Sequence, residues 1–565
     1  MHKPLRFFLL ISFCIISTEP IYSQLPNFSQ AEGFGSTTPG GRGGKVIKVT
    51  NLNDRGSGSL RNALNDTIPR IIVFTTGGII NLETPLLIKN PFVTIAGQTA
   101  PGGGICIRGN GIKINTHDVV IRHLRIRPGD INFGKLNNWS DVDALTIGTE
   151  RSAQTYNILI DHCSLSWGVD EVIGIWNGAH DITIQYSIIA EALNKSQHPK
   201  GEHGMGVLIG GGATRISMHH NLIANNEQRN PRLRSEKMEV DFRNNIIYNP
   251  GGTAVDIGDS YSPVKYYHLN FVGNTIVRGM NTAFPHEIVI RRYKDKDDWL
   301  QLFLEDNRGF IPGQDDWRMV KDSNGMAISD KRRKGSPFPF PTISTQSAEE
   351  AYELVLQDAG ASLPLRDPVD RKIIRDLRSN KGKTINSRRH PLQWPPMDQG
   401  IARLDFDEDG MSDEWEERYS LNPNSSPNNS DALLDTDGDG YTNIEEFINN
   451  TNPLSGSNIT LLSSSSPAAA FFMEQSGPPF SISQNYPNPF TDFTDIDFSV
   501  PEAAHVSLRI INNEGIVVQE LINNFLYEGN YHITWDGTNL DAGIYNVVLG
   551  TTKGLKFMRT VLRKE

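Results

Sequence analysis

The sequence predicts an all-β protein: a long right-handed parallel β-helix, then a short acidic module, then a small C-terminal β-sandwich. Three observations carry this reading. Short β-type runs recur from about residue 70 to 280, among them Val119–Ile126, Ile158–Leu165, Ile182–Ile189, Ile216–Ile223 and Val240–Ile247. Aligned on His123, His162, Tyr186, His220, Asn244 and Gly273, they repeat at intervals of 39, 24, 34, 24 and 29 residues, which is solenoid spacing. Asn221, Asn245 and Asn274 fall at the same bend of their units, where stacked amides satisfy one another. Each unit reads as a strand pair with a bend, not a strand plus a helix. A β-sandwich of equal strand count is the alternative, disfavoured by the uneven spacing and the recurrent asparagine bend.

Taken in order, the elements divide 565 residues into several domains. Residues 1–23 read as a secretory signal peptide: Lys3 and Arg6, an apolar Phe7–Ser17 too short to span a bilayer, and the small Ser23 before Gln24. Residues 24–395 form the β-helix and a C-terminal flanking segment. Within them 282–340 lose the period and read as a long loop region on the flank. Ser347–Ala359 reads as a helix with Ala348, Ala351, Leu354 and Val355 on its apolar face. Residues 400–452 form the acidic module, 453–478 a Ser/Pro/Ala/Gly-rich linker, and 479–565 the small β domain. Cys14 belongs to the signal; Cys106 and Cys163 are too few for a disulfide framework and read as small buried hydrophobes.

The net charge of −11 is local. Residues 401–450 hold 14 acidic and 2 basic residues, a net of −12, so the remainder sums to +1. A chain without a basic domain does not point to nucleic acid. The acidity falls into two twelve-residue loops. Asp405, Asp407, Asp409, Gly410, Asp413 and Glu416 stand at positions 1, 3, 5, 6, 9 and 12 of the first. Asp435, Asp437, Asp439, Gly440, Asn443 and Glu446 repeat them in the second. Oxygen ligands at these offsets wrap Ca2+, with glycine at the sharp turn. The pair resembles calcium modules of the thrombospondin type 3 or dockerin kind and is expected to act as a stabilising spacer.

The most informative stretch for chemistry is Arg229-Asn230-Pro231-Arg232-Leu233-Arg234. Arg229 and Arg234 bring two guanidinium groups, which grip carboxylates bidentately, beside turns that supply Asp170 and Glu171. Carboxylates in turn hold hard cations. Together they describe a site for an acidic sugar polymer held through calcium.

The segment 24–341 resembles the pectate lyases of polysaccharide lyase family 1. The residues concerned are Asp143-Ala144-Leu145, Ile158-Leu159-Ile160-Asp161-His162, Asp170, Lys200, His219-His220-Asn221, the Arg229–Arg234 string and the glycine-rich 32–44. The resemblance implies β-elimination on polygalacturonate or pectin. It makes Arg229 the base, Lys200 and Arg234 holders of the substrate carboxylate, and Asp143 and Asp170 ligands of a primary calcium site. Asp141 and Asp130 are alternatives to Asp143. Asp161 and His162 read as a structural pair. The family's second acid, four residues after Asp170, is here Gly174; Glu171 replaces it only if a bend at Gly168–Glu171 turns it inward, since neighbouring strand residues face opposite sides. His198 and His203 lack the carboxylate or cysteine spacing of a zinc site. Two rival readings remain: a calcium-independent pectin lyase on methylated pectin, and a non-catalytic β-helix for carbohydrate binding or adhesion.

The last 80 or so residues carry Gln484–Phe490, Trp535-Asp536-Gly537 and Ala542-Gly543-Ile544-Tyr545 before Arg563-Lys564. They closely resemble the C-terminal sorting domain of the type IX secretion system. The partners implied are that machinery and the polysaccharide. The protein is expected to be a monomer, secreted to the medium or attached at the cell surface.

Overall fold

The computed structural model describes residues 25–132, 142–150, 154–258, 265–291, 299–313, 315–425, 430–455, 481–500, 504–512, 516–526, 529–551 and 554–564. The expected signal peptide 1–23, Asp141 and residues 456–478 of the expected linker lie outside them. Between Lys45 and Asp322 the chain winds into a parallel β-helix. Among the described residues sheet A has ten strands, Lys45–Val49 to Leu300–Glu305. Sheet B has eight, Gly78–Asn81 to Thr275–Val277, and sheet C nine, Leu86–Ile88 to Val320–Asp322. A full turn therefore carries three strands, not the expected pair with a bend. The sheet C strands are often only three residues long, as at Leu145–Ile147, too short to show a period in sequence.

Stacking turns in register puts like residues over like. In sheet A, Ile121, Ile160, Ile184, Met218, Phe242 and Phe271 pair in succession, all buried. Each such side chain contributes roughly 1.5–3 kcal/mol by leaving water. The bend from sheet A to sheet B needs a left-handed residue. His123, His162, Tyr186, His220, Asn244 and Gly273 fill it with φ of 51°, 48°, 45°, 54°, 52° and 64°. Side chains normally resist this region; here stacking offsets the cost. The rings of His123, His162, Tyr186 and His220 lie 4.9, 5.0 and 4.6 Å apart in sequence. One residue on, the expected asparagine ladder is present. Asn221 Nδ2 donates to Asn245 Oδ1 (3.0 Å), Asn245 Nδ2 to Asn274 Oδ1 (3.1 Å), and Asn274 Nδ2 to Asn307 Oδ1 (3.0 Å).

Asn307 marks a correction. Residues 282–340 are not a loop region: Ile288–Ile290, Leu300–Glu305 and Val320–Asp322 continue sheets C and A, and Asp306 takes the bend at φ 51°. Long charged excursions between these strands hide the period. Downstream, the helix Ala348–Asp358 is capped reciprocally by Ser347 and Glu350. Its buried face is Ala348, Ala351, Val355 and Leu356, so Leu356 takes the place expected of Leu354. A second helix, Pro368–Ser379, starts on Asp367 with proline in its first turn. Both helices cover the outer face of sheet B around Ile188, Leu222, Ile246 and Tyr248.

The acidic module is not a free spacer. Trp415, Met411, Ile444, Phe447 and Ile448 pack on Ile71, Val73 and Ala96 of sheet A. Arg42 pairs with Glu445 (2.8 Å) and Lys48 with Asp405 (3.3 Å), and Tyr441 donates to the Pro26 carbonyl (3.1 Å). The loops fit a cation. Asp405, Asp407 and Asp409, and separately Asp435, Asp437 and Asp439, bring oxygens within 4.8 Å of one another. Among the described residues, both Glu416 carboxylate oxygens, Asp405 Oδ1, Asp413 Oδ2, Asp437 Oδ2 and Glu446 Oε2 are buried without a hydrogen-bond partner. Asn443 is tied instead, accepting from Thr436 (2.9 Å) and donating to the Asp431 carbonyl (2.8 Å).

The C-terminal domain packs a three-stranded against a four-stranded antiparallel sheet around Phe490, Ile496, Trp535 and Leu549. It touches the flanking helix 368–379 through Arg371–Asp497 (2.6 Å) and Arg375–Asp495 (2.8 Å).

Two expected outcomes follow from this packing. Asn245→Ala strips partners from the Asn221 backbone N–H and the Met218 carbonyl. It should lower stability by about 2–4 kcal/mol, read as a shifted denaturant midpoint; an unchanged midpoint would show the ladder to be idle. The second outcome concerns pH. Burial, then the surrounding carboxylates, raises Glu416 from 4.5 to about 9 and Glu446 to about 8. The metal-free module thus favours protonated carboxyls. The stability they lend is full below 4.5 and is lost as pH climbs through 8 to 9. Melting in EDTA should fall over that window, and saturating calcium should abolish the fall. A pH-independent melt in EDTA would contradict this.

Candidate active site

Successive turns deliver the predicted residues to the leading edge of sheet C. Asp143 stands two residues before Leu145–Ile147 and Asp170 one before Glu171–Ile175. The turn with Lys200 precedes Met205–Gly210, and Arg229 precedes Arg232–Arg234. Parallel register (Leu145 beside Ile173, Glu171 beside Met205, Leu208 beside Arg232) lines these edges up.

Asp143, Asp170 and Glu171 present carboxylate oxygens within 4.8 Å of one another. Glu171 does enter the cluster, because Asp170 lies in the bend before the strand, where the alternation of faces does not hold. The Glu171 backbone N–H donates to Asp143 Oδ1 (3.0 Å), and Thr146 Oγ1 donates to Asp143 Oδ2 (2.9 Å). Asp143 and Glu171 are buried, and Asp170 is half-buried beside them. Clustered, desolvated carboxylates of this kind suit a hard divalent cation. At Gly174, an added Cβ would lie 2.9 Å from Asp143 Oδ2, so this chain has no room there without movement of that carboxylate.

Arg229 reaches the same cluster and forms an ion pair through Nη1 with Glu171 Oε1. Its backbone is left-handed, φ 63°, an uncommon conformation held where the surroundings over-determine it. Gly206 permits this approach, since a Cβ there would meet the Arg229 carbonyl at 2.6 Å. Burial pulls the Arg229 guanidinium below the ordinary arginine range; Asp170 opposes this, Arg232 and Arg234 reinforce it, and Asp143 opposes it. Arg234 lies one row further out, beside Gly210. Lys200 is exposed in its turn, and its backbone N–H donates to His198 Nδ1 (3.2 Å).

The sequence missed the role of the two histidines. Asp170 is the carboxylate that spacing did not reveal: His203 Nε2 lies 2.7 Å and His198 Nε2 3.6 Å from it. The rings are buried and stacked, 3.9 Å apart at 9°. Because His198 Nδ1 accepts the Lys200 amide, its Nε2 carries the proton of the neutral ring and faces Asp170. Parallel rings at this spacing cannot both direct an in-plane lone pair at one ion. Asp170, His198 and His203 do bring ligand atoms within 4.8 Å of one another, but the stacked rings suit the holding of Asp170 through His203 better than a zinc site.

Asp130 lies elsewhere, accepting from Ser387 (2.7 Å), the Arg388 amide (2.6 Å) and Arg389 (3.1 Å). Asp161 is buried between Arg122 (2.7 Å) and His162 (2.8 Å). Burial works against charge on His162, but Asp161 and then Asp358 outweigh it and raise the ring to about 9. Cys106 and Cys163 are buried thiols, pushed up to about 11 and about 12 chiefly by burial.

Residues 484–563 match the secretion system C-terminal sorting domain, and residues 435–456 match the bacterial TSP3 repeat. The sorting domain marks a protein that is secreted or held at the cell surface. Probable pectate lyase C of Aspergillus terreus is 34% identical over 467 residues, covering 80% of this chain and 100% of the relative. Probable pectate lyase C of Aspergillus fumigatus is 35% identical over 463 residues, covering 77% and 98%. Among solved structures, jun a 1, the major allergen from cedar pollen, aligns with a TM-score of 0.41 at 17% identity, over 58% of this chain and 92% of that one. A span of 80%, even counted from Met1, runs beyond residue 395, so the likeness to the fungal relatives extends past the β-helix and its flank. With such relatives matched along their whole length, the chain belongs to the pectate lyase family.

Proposed function

We propose that this polysaccharide lyase cleaves polygalacturonate by β-elimination, with calcium held by Asp143, Asp170 and Glu171 and Arg229 as the base. The observation that carries the reading is the convergence of three carboxylates and a desolvated guanidinium on one edge of sheet C. Bound between these carboxylates and that of a uronate, calcium would supply the charge neutralisation that acidifies the proton at C5. The protein's own groups do the rest. Arg234 and Lys200 hold substrate carboxylates and fix the ring. Arg229 in its neutral form, its charge disfavoured by burial and by Arg232 and Arg234, accepts the C5 proton; the electron pair left at C5 forms the C4–C5 double bond as C4–O4 breaks, and the leaving O4 takes a proton from water. Glu171 has two claimants, the cation and Arg229. Engagement by the cation would release Arg229 from its ion pair and ease the loss of its own proton to solvent, giving the neutral guanidine that can take the C5 proton.

In a polygalacturonate assay following the unsaturated product, Arg229→Ala should lose about 10³-fold in kcat with the fold unchanged. Asp170→Ala should raise the calcium needed for half-maximal rate by about tenfold. Substantial turnover by Arg229→Ala would remove it as base, and an unchanged calcium titration would remove Asp170 as ligand. The wild-type rate should require calcium and climb above neutral pH. Equal degradation of methylated pectin with and without chelator would favour the pectin lyase reading, and binding without any unsaturated product the adhesion reading. This comparison belongs on the full chain, since removing the acidic module would bare Ile71, Val73 and Ala96.

The C-terminal domain is proposed as an export address without a part in the chemistry. It docks on helix 368–379, which covers sheet B, whereas the acids and Arg229 lie on sheet C. Deleting 479–565 should leave specific activity intact in purified protein and strand it in the periplasm of the native cell; normal extracellular activity from the truncated gene would refute this.

A further inference from the structure

A flat apolar group lies in the middle of this charged site. Trp176 directly follows the strand Glu171–Ile175, is half-buried, and belongs to none of the hydrophobic cores. It rests on glycine. A Cβ at Gly210 would meet the indole at Cζ3 (2.9 Å), one at Gly211 at Cε3 (2.8 Å), and one at Gly174 would stand 3.4 Å from Nε1. The backbone has been cleared beneath the ring, and no side chain from these positions packs on it. The placement is equally specific. The Gly174 position that adjoins the pyrrole edge is 2.9 Å from Asp143 Oδ2, and the Gly210 position that adjoins the benzo edge is 2.9 Å from the Arg234 carbonyl. The indole therefore bridges the acid cluster and the rung of Arg234.

We infer that Trp176 is a specificity-determining platform on which one pyranose ring of the polymer stacks, between the cation-binding acids and Arg234. A galacturonate ring is charged at C6 but carries C–H groups at C3, C4 and C5 on one face. A site built only of ions and guanidinium groups would grip the carboxylates and leave that face wet; a bare indole covers it. Gly174 acquires a reason as well: a residue with a side chain there would take the space between Asp143 and the indole. The inference rests on the reading of the substrate as a uronate polymer.

The test uses the full chain and two readouts: steady-state kinetics on polygalacturonate, and retardation in gels containing polygalacturonate, methyl-esterified pectin or arabinogalactan. Trp176→Ala should raise KM about five- to tenfold, a modest stacking energy, with kcat changed less and the calcium half-saturation unchanged. Trp176→Phe should recover most of the loss, and Trp176→Leu, apolar but not flat, should not. A wild-type KM in Trp176→Ala overturns the inference. So does full rescue by leucine, or a shift in calcium half-saturation in place of KM, which would make the indole a prop for Asp143. If the wild type neither cleaves nor is retarded by polygalacturonate, the substrate reading fails. Trp176 is then judged by the same three variants in whichever gel retards the wild type, where equal mobility of all four proteins overturns it.

Discussion

Everything in this molecule depends on keeping turn upon turn in register. A parallel coil satisfies its backbone only through the turns above and below it, so each turn must bend at the same place and by the same amount. The left-handed bend residues do this, from His123 to Asp306. They are held by ring stacking where the residue is aromatic and by the asparagine ladder one position on. A slip of one residue would turn the buried aliphatic rows to solvent. The same register places Asp143, Asp170 and Arg229 side by side, although they are spread over nearly ninety residues of sequence. The active site is thus a by-product of the bend geometry, sharpened by glycine at Gly206, Gly174 and Gly210 where one group must come close to another.

This explains what the sequence disclosed. The bend column was legible because it combines unusual residues, histidine, tyrosine and asparagine, with solenoid spacing. The two acidic loops were legible because their carboxylates recur at fixed offsets, and the structure brings three aspartates of each together. The acids and arginines at the site were legible as residue types on turns that stack. Hidden were the short strands of sheet C, the last turns beyond Gly273, and the helix at Pro368, although Asp367 and Pro368 form an ordinary start signal. The inward placement of Glu171 depended on a bend that no alternation rule reveals. The engagement of His203 with Asp170 was invisible for a related reason: the two residues are 33 apart and meet only because a turn intervenes. The seat of Trp176 shows only when three glycines from two adjacent turns are seen together.

Calcium is proposed at two places of different character. At the acid cluster its proposed role is in the chemistry. In the acidic module it is tied to the fit of a helical plug on the first strands of sheet A, where Trp415 and Phe447 cover Ile71 and Val73 and where Lys48 already reaches Asp405. The module was expected to be a stabilising spacer; that it leans directly on sheet A was not foreseen, because sequence shows the acids of such a loop but not the surface its helices pack on.

The left-handed column also limits how this enzyme can change over evolutionary time. A coil locked at every bend cannot absorb a single inserted residue within a strand. It can lengthen by a whole turn, or it can bulge between strands, where no partner above or below is displaced. The excursion at 195–204, between the strands Ile188–Ala190 and Met205–Gly210, is of the second kind and carries the lysine. Lineages that exchange one polymer for another are therefore expected to differ in loop length at such junctions while the bends and the arginine string stay fixed, so that specificity drifts on a chassis that does not.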